Sequence, residues 1–297
     1  MIQPVPSARI SSLPALTTHL TALLLIAILP LRSLGQEPVK VTPRLPVYPL
    51  DAAVAPDGTV YVVDRNLPGV WQWKAGELTV FFQGSPKYRT PLNAPRCVTV
   101  TPEGLVLVGD SATREVYRLP EPNKAEPITG GKIGIPMDLA LASDGSLYVA
   151  DLELRTLYKI PAGQSAPEMI AQVNPRGVFV DDQDRVWVVS QNAEQLIIVS
   201  DDGKIQPVVK TRVFDFPHQV YVDDAGVAYV TDGYKKAVWK VSADGKPELL
   251  FSGPPLDNPV GLTATEDGQL VVVDPRAQAV FKFAPGEKPT VWFKIEY

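Results

Sequence analysis

Residues Pro217 to Val241 read PHQVYVDDAGVAYVTDGYKKAVWKV, and the outline of this stretch recurs along most of the chain. It opens on a proline, runs apolar, turns at Asp224-Ala225-Gly226, runs apolar again as Val227 to Val230, reaches Asp232 and closes on Val238-Trp239-Lys240-Val241. A fixed internal period decides architecture before any single element does. Taking the proline as register mark, copies begin at Pro49, Pro95, Pro136, Pro175, Pro217 and Pro259. The turn position holds Gly58, Gly104, Gly145, Asp184, Gly226 and Gly268, and six residues later stand Asp64, Asp110, Asp151, Ser190, Asp232 and Asp274. Only Asp184 and Ser190, both in the fourth copy, depart from the pattern. Seven residues further on come Trp71, Tyr117, Tyr158, Ile197, Trp239 and Phe281.

Each copy reads as a strand, a turn rich in Asp and Gly, a second strand, a short polar loop, a third strand and a weaker fourth. β-Branched and aromatic runs punctuated by Asp-Gly are a hairpin signal. About 42 residues carrying four antiparallel strands match one blade of a β-propeller, in which radial closure protects the sheet edges. The expectation is an all-β, six-bladed β-propeller of four-stranded antiparallel blades over residues 49–297. The Asp at the end of each second strand is expected to accept backbone N–H bonds and fix the following turn, because one carboxylate per blade makes a ring rather than an oxygen cage. The aligned aromatic positions are expected to pack between blades.

Ahead of the repeats, residues 1–35 combine Arg9, the apolar run Leu20 to Leu31 and the small residues Ser33-Leu34-Gly35. That is the pattern of a cleavable signal peptide, and a run of twelve residues is short for a hydrocarbon core of roughly 30 Å. A secreted or periplasmic location is expected, with no membrane attachment beyond this segment. Residues 36–48 form a Pro-rich lead-in in which Val39-Lys40-Val41 could add an outer strand. The chain balances 28 Lys and Arg against 33 Asp and Glu, and the leading segment removes two arginines but no acid. A net-negative domain without a basic stripe speaks against nucleic acid. Cys97, the single cysteine, begins an apolar strand and reads as a small buried hydrophobe.

Units such as Pro259-Val260-Gly261-Leu262 followed by Glu266-Asp267-Gly268-Gln269-Leu270-Val271-Val272-Val273-Asp274 resemble NHL repeats, and more broadly the SMP-30/gluconolactonase-like propellers. The resemblance covers residues 49–297 and implies the fold, while a shared propeller frame carries unrelated activities. The lactonases of that group are associated with a divalent metal held by a Glu-Gly-Pro start and by Asn and Asp directly after blade-start prolines. Here the residues after those prolines are Leu50, Arg96, Met137, Arg176, His218 and Val260, so that site does not carry over. Pro217-His218 is similar to a start found in NHL-type amidating lyases, yet His218 is the only histidine after the leading segment and zinc normally takes three protein ligands. No Gly-x-Ser-x-Gly elbow accompanies it.

The residues after each register proline are expected to ring one mouth of the central channel. The candidate ligand-binding set is Arg96, Arg176, His218, Gln219, Asp138, Asp51 and Met137. Arginines there suit a carboxylate or phosphate, and the two acids suit pairing with them, sugar hydroxyls or a hydrated cation. The expected function is a binding module for a small anionic or glycan ligand or a partner protein, without a cofactor. The alternative is a lactonase or related hydrolase that uses a divalent cation such as calcium, at Asp51, Asp138 and His218.

Overall fold

The computed structural model describes residues 46–85, 87 and 90–296. Residues 1–35, predicted as a signal peptide, and most of the Pro-rich lead-in, including Val39-Lys40-Val41, lie outside the described residues. Twenty-four strands form six sheets, each built from four consecutive antiparallel strands. The first blade shows the plan: Pro49–Val54, Val60–Asp64, Gly69–Lys74 and Glu77–Gln83. The first strands of the other blades are Pro95–Val100, Pro136–Leu141, Pro175–Val180, Pro217–Val222 and Gly261–Ala264. Each touches its neighbour, and the first strand of blade 1 touches that of blade 6, so the ring is closed. Blade 6 completes itself with Thr290–Lys294, and no strand is exchanged between the ends among the described residues.

Alternate residues of a strand point to opposite faces. A blade in the ring is covered on both faces, so its second strand has no solvent side and reads as a continuous apolar run. All six second strands are buried along their entire length. Their side chains feed six apolar clusters, one in each space between blades. Val60, Val62 and Trp71 of blade 1 meet Val271, Val273, Val280 and Phe293 of blade 6, which seals the ring hydrophobically. Trp71, Tyr117, Ile197 and Phe281 are buried between blades as the repeat register predicts, whereas Tyr158 and Trp239 are half-buried.

The second-strand carboxylates carry out the predicted role. Asp110 accepts from the backbone N–H of Asn93, Ala94 and Ala112, at 2.9, 2.9 and 3.0 Å. Asp274 accepts four such bonds, from Asp257, Asn258, Arg276 and Ala277, at 2.7–3.0 Å. Each of these carboxylates therefore ties the loop after the second strand to the segment that enters the first strand of the same blade. In blade 4, Ser190 instead donates its hydroxyl to the Val173 carbonyl at 2.6 Å and accepts from Asn192 N–H at 3.0 Å. Asp184 adopts the left-handed conformation with φ 56°, as the glycines do at the equivalent turns. Asp tolerates that region better than most residues, so the fourth copy keeps the turn despite its altered sequence.

Candidate functional site: an arginine-lined channel mouth

A kink at the start of the first strands separates two sets of side chains. The pairing register shifts between Pro49 and Asp51, Pro95 and Cys97, and Pro175 and Gly177, and similarly in blades 3 and 5. Residues one place after the register proline turn outward into the mouth, and residues two places after it turn into the channel.

The inner set alternates large polar and small side chains around the ring: Asp51, Cys97, Asp138, Gly177, Gln219 and Gly261. Each large member reaches the first strand of the next blade. Asp51 accepts from Val98 N–H at 2.9 Å, Asp138 from Val178 N–H at 2.9 Å, and Gln219 Oε1 from Leu262 N–H at 2.6 Å. The blades are thus stapled in pairs, 1 to 2, 3 to 4 and 5 to 6. A narrow channel has room for only three such side chains, which accounts for the small residues between them. A Cβ on Gly177 would lie 2.6 Å from the His218 carbonyl oxygen, and one on Gly261 would lie 2.9 Å from Asp51 Cα.

Gln219 Nε2 also donates to Asp138 at 3.0 Å and supports Asp51. Asp51, Asp138 and Gln219 are 2%, 5% and 7% exposed and stand between the two ends of the channel. Burial pushes the Asp51 carboxyl up to about 7, against the hydrogen bonds that lower it. Burial, reinforced by the nearby Asp51 charge, raises Asp138 well above the usual carboxylate range. Burial likewise raises the Cys97 thiol, whose side chain packs against the Pro136 carbonyl as the small hydrophobe predicted for it.

The two ends of the channel differ in charge. At the turn end a cavity of about 860 Å³ is lined by Asp51, Asp138, Glu103, Asp144, Asp181, Asp182 and Asp184 and, among the described residues, by no Lys or Arg. At the strand-start end a cavity of about 280 Å³ is lined by Arg65, Arg96, Arg176 and Arg276, with His218, Met137 and Gln219, and, among the described residues, by no carboxylate. Of the seven residues predicted for the mouth, the structure brings Arg96, Met137, Arg176, His218 and Gln219 into this lining. Asp51 and Asp138 are outside it. The bulge points them into the channel, so they neither pair with the arginines nor meet a ligand held among them.

The arginines are held in different ways. The Arg176 guanidinium lies 4.3 Å from the centroid of the Phe216 ring, and the Gln191 amide oxygen, turned toward it, accepts from Nε and Nη2 at 2.5 and 2.9 Å. Arg96 is half-buried, and its enclosed Nε has no hydrogen-bond partner. Burial lowers both arginines from their usual range, and each is lowered further by a neighbouring guanidinium, Arg65 beside Arg96 and Arg96 beside Arg176. Arginine nonetheless stays charged. None of the four forms an ion pair among the described residues. Asp257, ion-paired with Lys236, feels Arg276 from outside the lining.

Burial and the Arg176 charge hold His218 down to about 4, so its imidazole is neutral at pH 7. Phe216 meets His218 edge-on with centroids 4.9 Å apart and stacks on Tyr234 at 4.6 Å. Tyr234 is 70% exposed at the rim. Arg65, Arg276 and Tyr234 are contributions that the proline register alone does not reveal. All three follow the second-strand Asp, by one or two residues, in blades 1, 6 and 5.

A divalent cation does not fit these residues. No group of three or more His, Cys, Asp or Glu stands together as a cage among the described residues. The two carboxylates nearest the mouth already serve as acceptors for backbone N–H groups of neighbouring strands.

No protein-family model and no curated protein matches the sequence. Solved structures do match in shape. Virginiamycin B lyase from Staphylococcus aureus superposes with a TM-score of 0.64 at 13% identity, over 84% of this chain and 85% of that one. A gluconolactonase from Xanthomonas campestris gives a TM-score of 0.64 at 17% identity, over 78% and 85%. A chain of the nidogen/laminin complex gives 0.65 at 15% identity, over 84% and 93%. At these identities the likeness is one of fold, and it places the chain among six-bladed β-propellers whose neighbours include a gluconolactonase and a chain of the nidogen/laminin complex.

Proposed function

We propose that the protein is an exported binding propeller that takes a small anion into its arginine-lined mouth. The observation that carries this reading is the mouth itself, which four arginines from four blades line without a lining carboxylate among the described residues, in a chain whose overall charge is negative. Guanidinium groups recognise carboxylate and phosphate by charge-assisted, often bidentate bonds. Arg96 and Arg176 both line the cavity, and neither guanidinium is neutralised by an ion-paired carboxylate among the described residues. The acidic lining of the opposite end repels the same ligand and so gives the channel a direction. The leading segment 1–35 supports delivery outside the cytoplasm.

Among the fold's neighbours, lyase, gluconolactonase and laminin-complex partner share one frame, so fold alone assigns no activity. Thermal unfolding in sodium phosphate, compared with sodium chloride at equal ionic strength, tests the reading. Ligand binding to the folded state alone raises stability by mass action, and near saturation a rise of about 5 °C is expected for a domain of this size. The Arg96→Ala/Arg176→Ala variant should lose that rise. An equal rise in both proteins, or none in the unaltered chain, would overturn the proposal.

A further inference from the structure

Resting on the anion-binding reading, we infer that the mouth selects for valence, and that its ligand is a small anion bearing two or more negative charges, a polycarboxylate or a phosphate ester or anhydride. The positions of the guanidinium groups carry the inference. Arg65 follows the second strand of blade 1, Arg96 opens blade 2, Arg176 opens blade 4 and Arg276 follows the second strand of blade 6. Blades 1 and 4 face each other across a six-membered ring, so one carboxylate cannot be bidentate to both. A ligand with anionic groups at more than one end can.

Charge balance points the same way. Arg65, Arg96 and Arg176 are neighbours of like sign, with no ion pair among the described residues to offset them. A monovalent anion relieves one of these repulsions and leaves the others. The volume sets an upper size: about 280 Å³ is roughly nine times the share of one water molecule in the liquid. That suits a compact ligand rather than an oligomer. The partners around the arginines are uncharged. His218 is neutral and Asn258 supplies a side-chain amide at the rim, so neither adds a competing anion.

Calorimetric titration of the full chain at constant ionic strength with acetate, succinate, citrate and inorganic pyrophosphate tests this. Affinity should rise about tenfold for each added charge, so that citrate and pyrophosphate bind at least ~100-fold tighter than acetate. Arg65→Ala and Arg276→Ala, both exposed and outside the fold's packing, should each weaken citrate or pyrophosphate about tenfold and acetate by a smaller factor. Citrate ahead of pyrophosphate marks a polycarboxylate ligand, and the reverse order a phosphate. Affinities equal within about threefold across the series would overturn selection by valence while leaving anion binding intact. No heat with any of the four anions, in a protein with an unaltered thermal midpoint, would overturn both readings.

Discussion

Asp274→Ala lowers the stability of the propeller by about 4 kcal/mol in urea unfolding at pH 7, because four backbone N–H groups lose one acceptor together. The donors belong to Asp257 and Asn258 on one side and to Arg276 and Ala277 on the other, all within 3.0 Å of the carboxylate. Water can reach some of them once the side chain is gone, which keeps the loss below the sum of four unmade bonds. Asp274→Asn keeps one acceptor oxygen and should cost about half as much. Two of the tied residues, Asn258 and Arg276, line the mouth, so the alanine variant should also bind anions more weakly. A cost within 1 kcal/mol of zero would show that these loops hold their shape without the carboxylate.

The second large effect is expected at Gly177. Its added methyl would stand 2.6 Å from the His218 carbonyl oxygen and 2.8 Å from Gln219 Cα, both backbone of the adjacent blade. Backbone in a closed ring cannot step aside as a side-chain tip can, and overpacking of this kind costs about 3 kcal/mol or more. Gly177→Ala should therefore push blade 5 outward, loosen the Gln219 staple and displace His218. Gly104→Ala provides the contrast. That residue has φ 85° and open space around it, so only the left-handed conformation is penalised, by about 1–2 kcal/mol. Equal losses in the two variants, measured by the same denaturant titration, would remove steric closure of the channel as the reason for the small residues.

How much of this was legible beforehand differs between frame and site. The register of prolines, turn residues and second-strand Asp follows from periodicity, and the structure keeps it, even where Asp184 stands in for glycine. In the fourth copy Ser190 takes the place of the Asp, while a second kind of tie runs from one blade to the next. Gln195 accepts from Val213 and Phe214 N–H at 2.6 and 2.8 Å and so secures the entry to blade 5. Glu115, at the same register position in blade 2, binds the backbone of Gly131 in the same manner. A long-range side-chain bond of this sort leaves no local pattern in the sequence.

At the site, the first residue after each register proline lines one cavity, as its place in the repeat implies. Position in the repeat alone sets Asp51 and Asp138 next to the arginines, whereas strand alternation and the bulge after the proline turn them into the channel. Arg65 and Arg276 went unread for a related reason. The loop after a second strand lies at the same end of the blade, but which of its side chains turns inward depends on loop conformation, which the repeat period does not encode.

The central claim is that the mouth receives an anion between Arg96 and Arg176, and an anion with its own scattering signature tests it most directly. Crystals grown with sodium selenate and measured at the selenium edge should show an anomalous peak within hydrogen-bonding distance of the Arg96 and Arg176 guanidinium groups, on the Met137 side of the cavity. Selenate found only on exposed lysines, with the mouth free of any peak, would contradict the account.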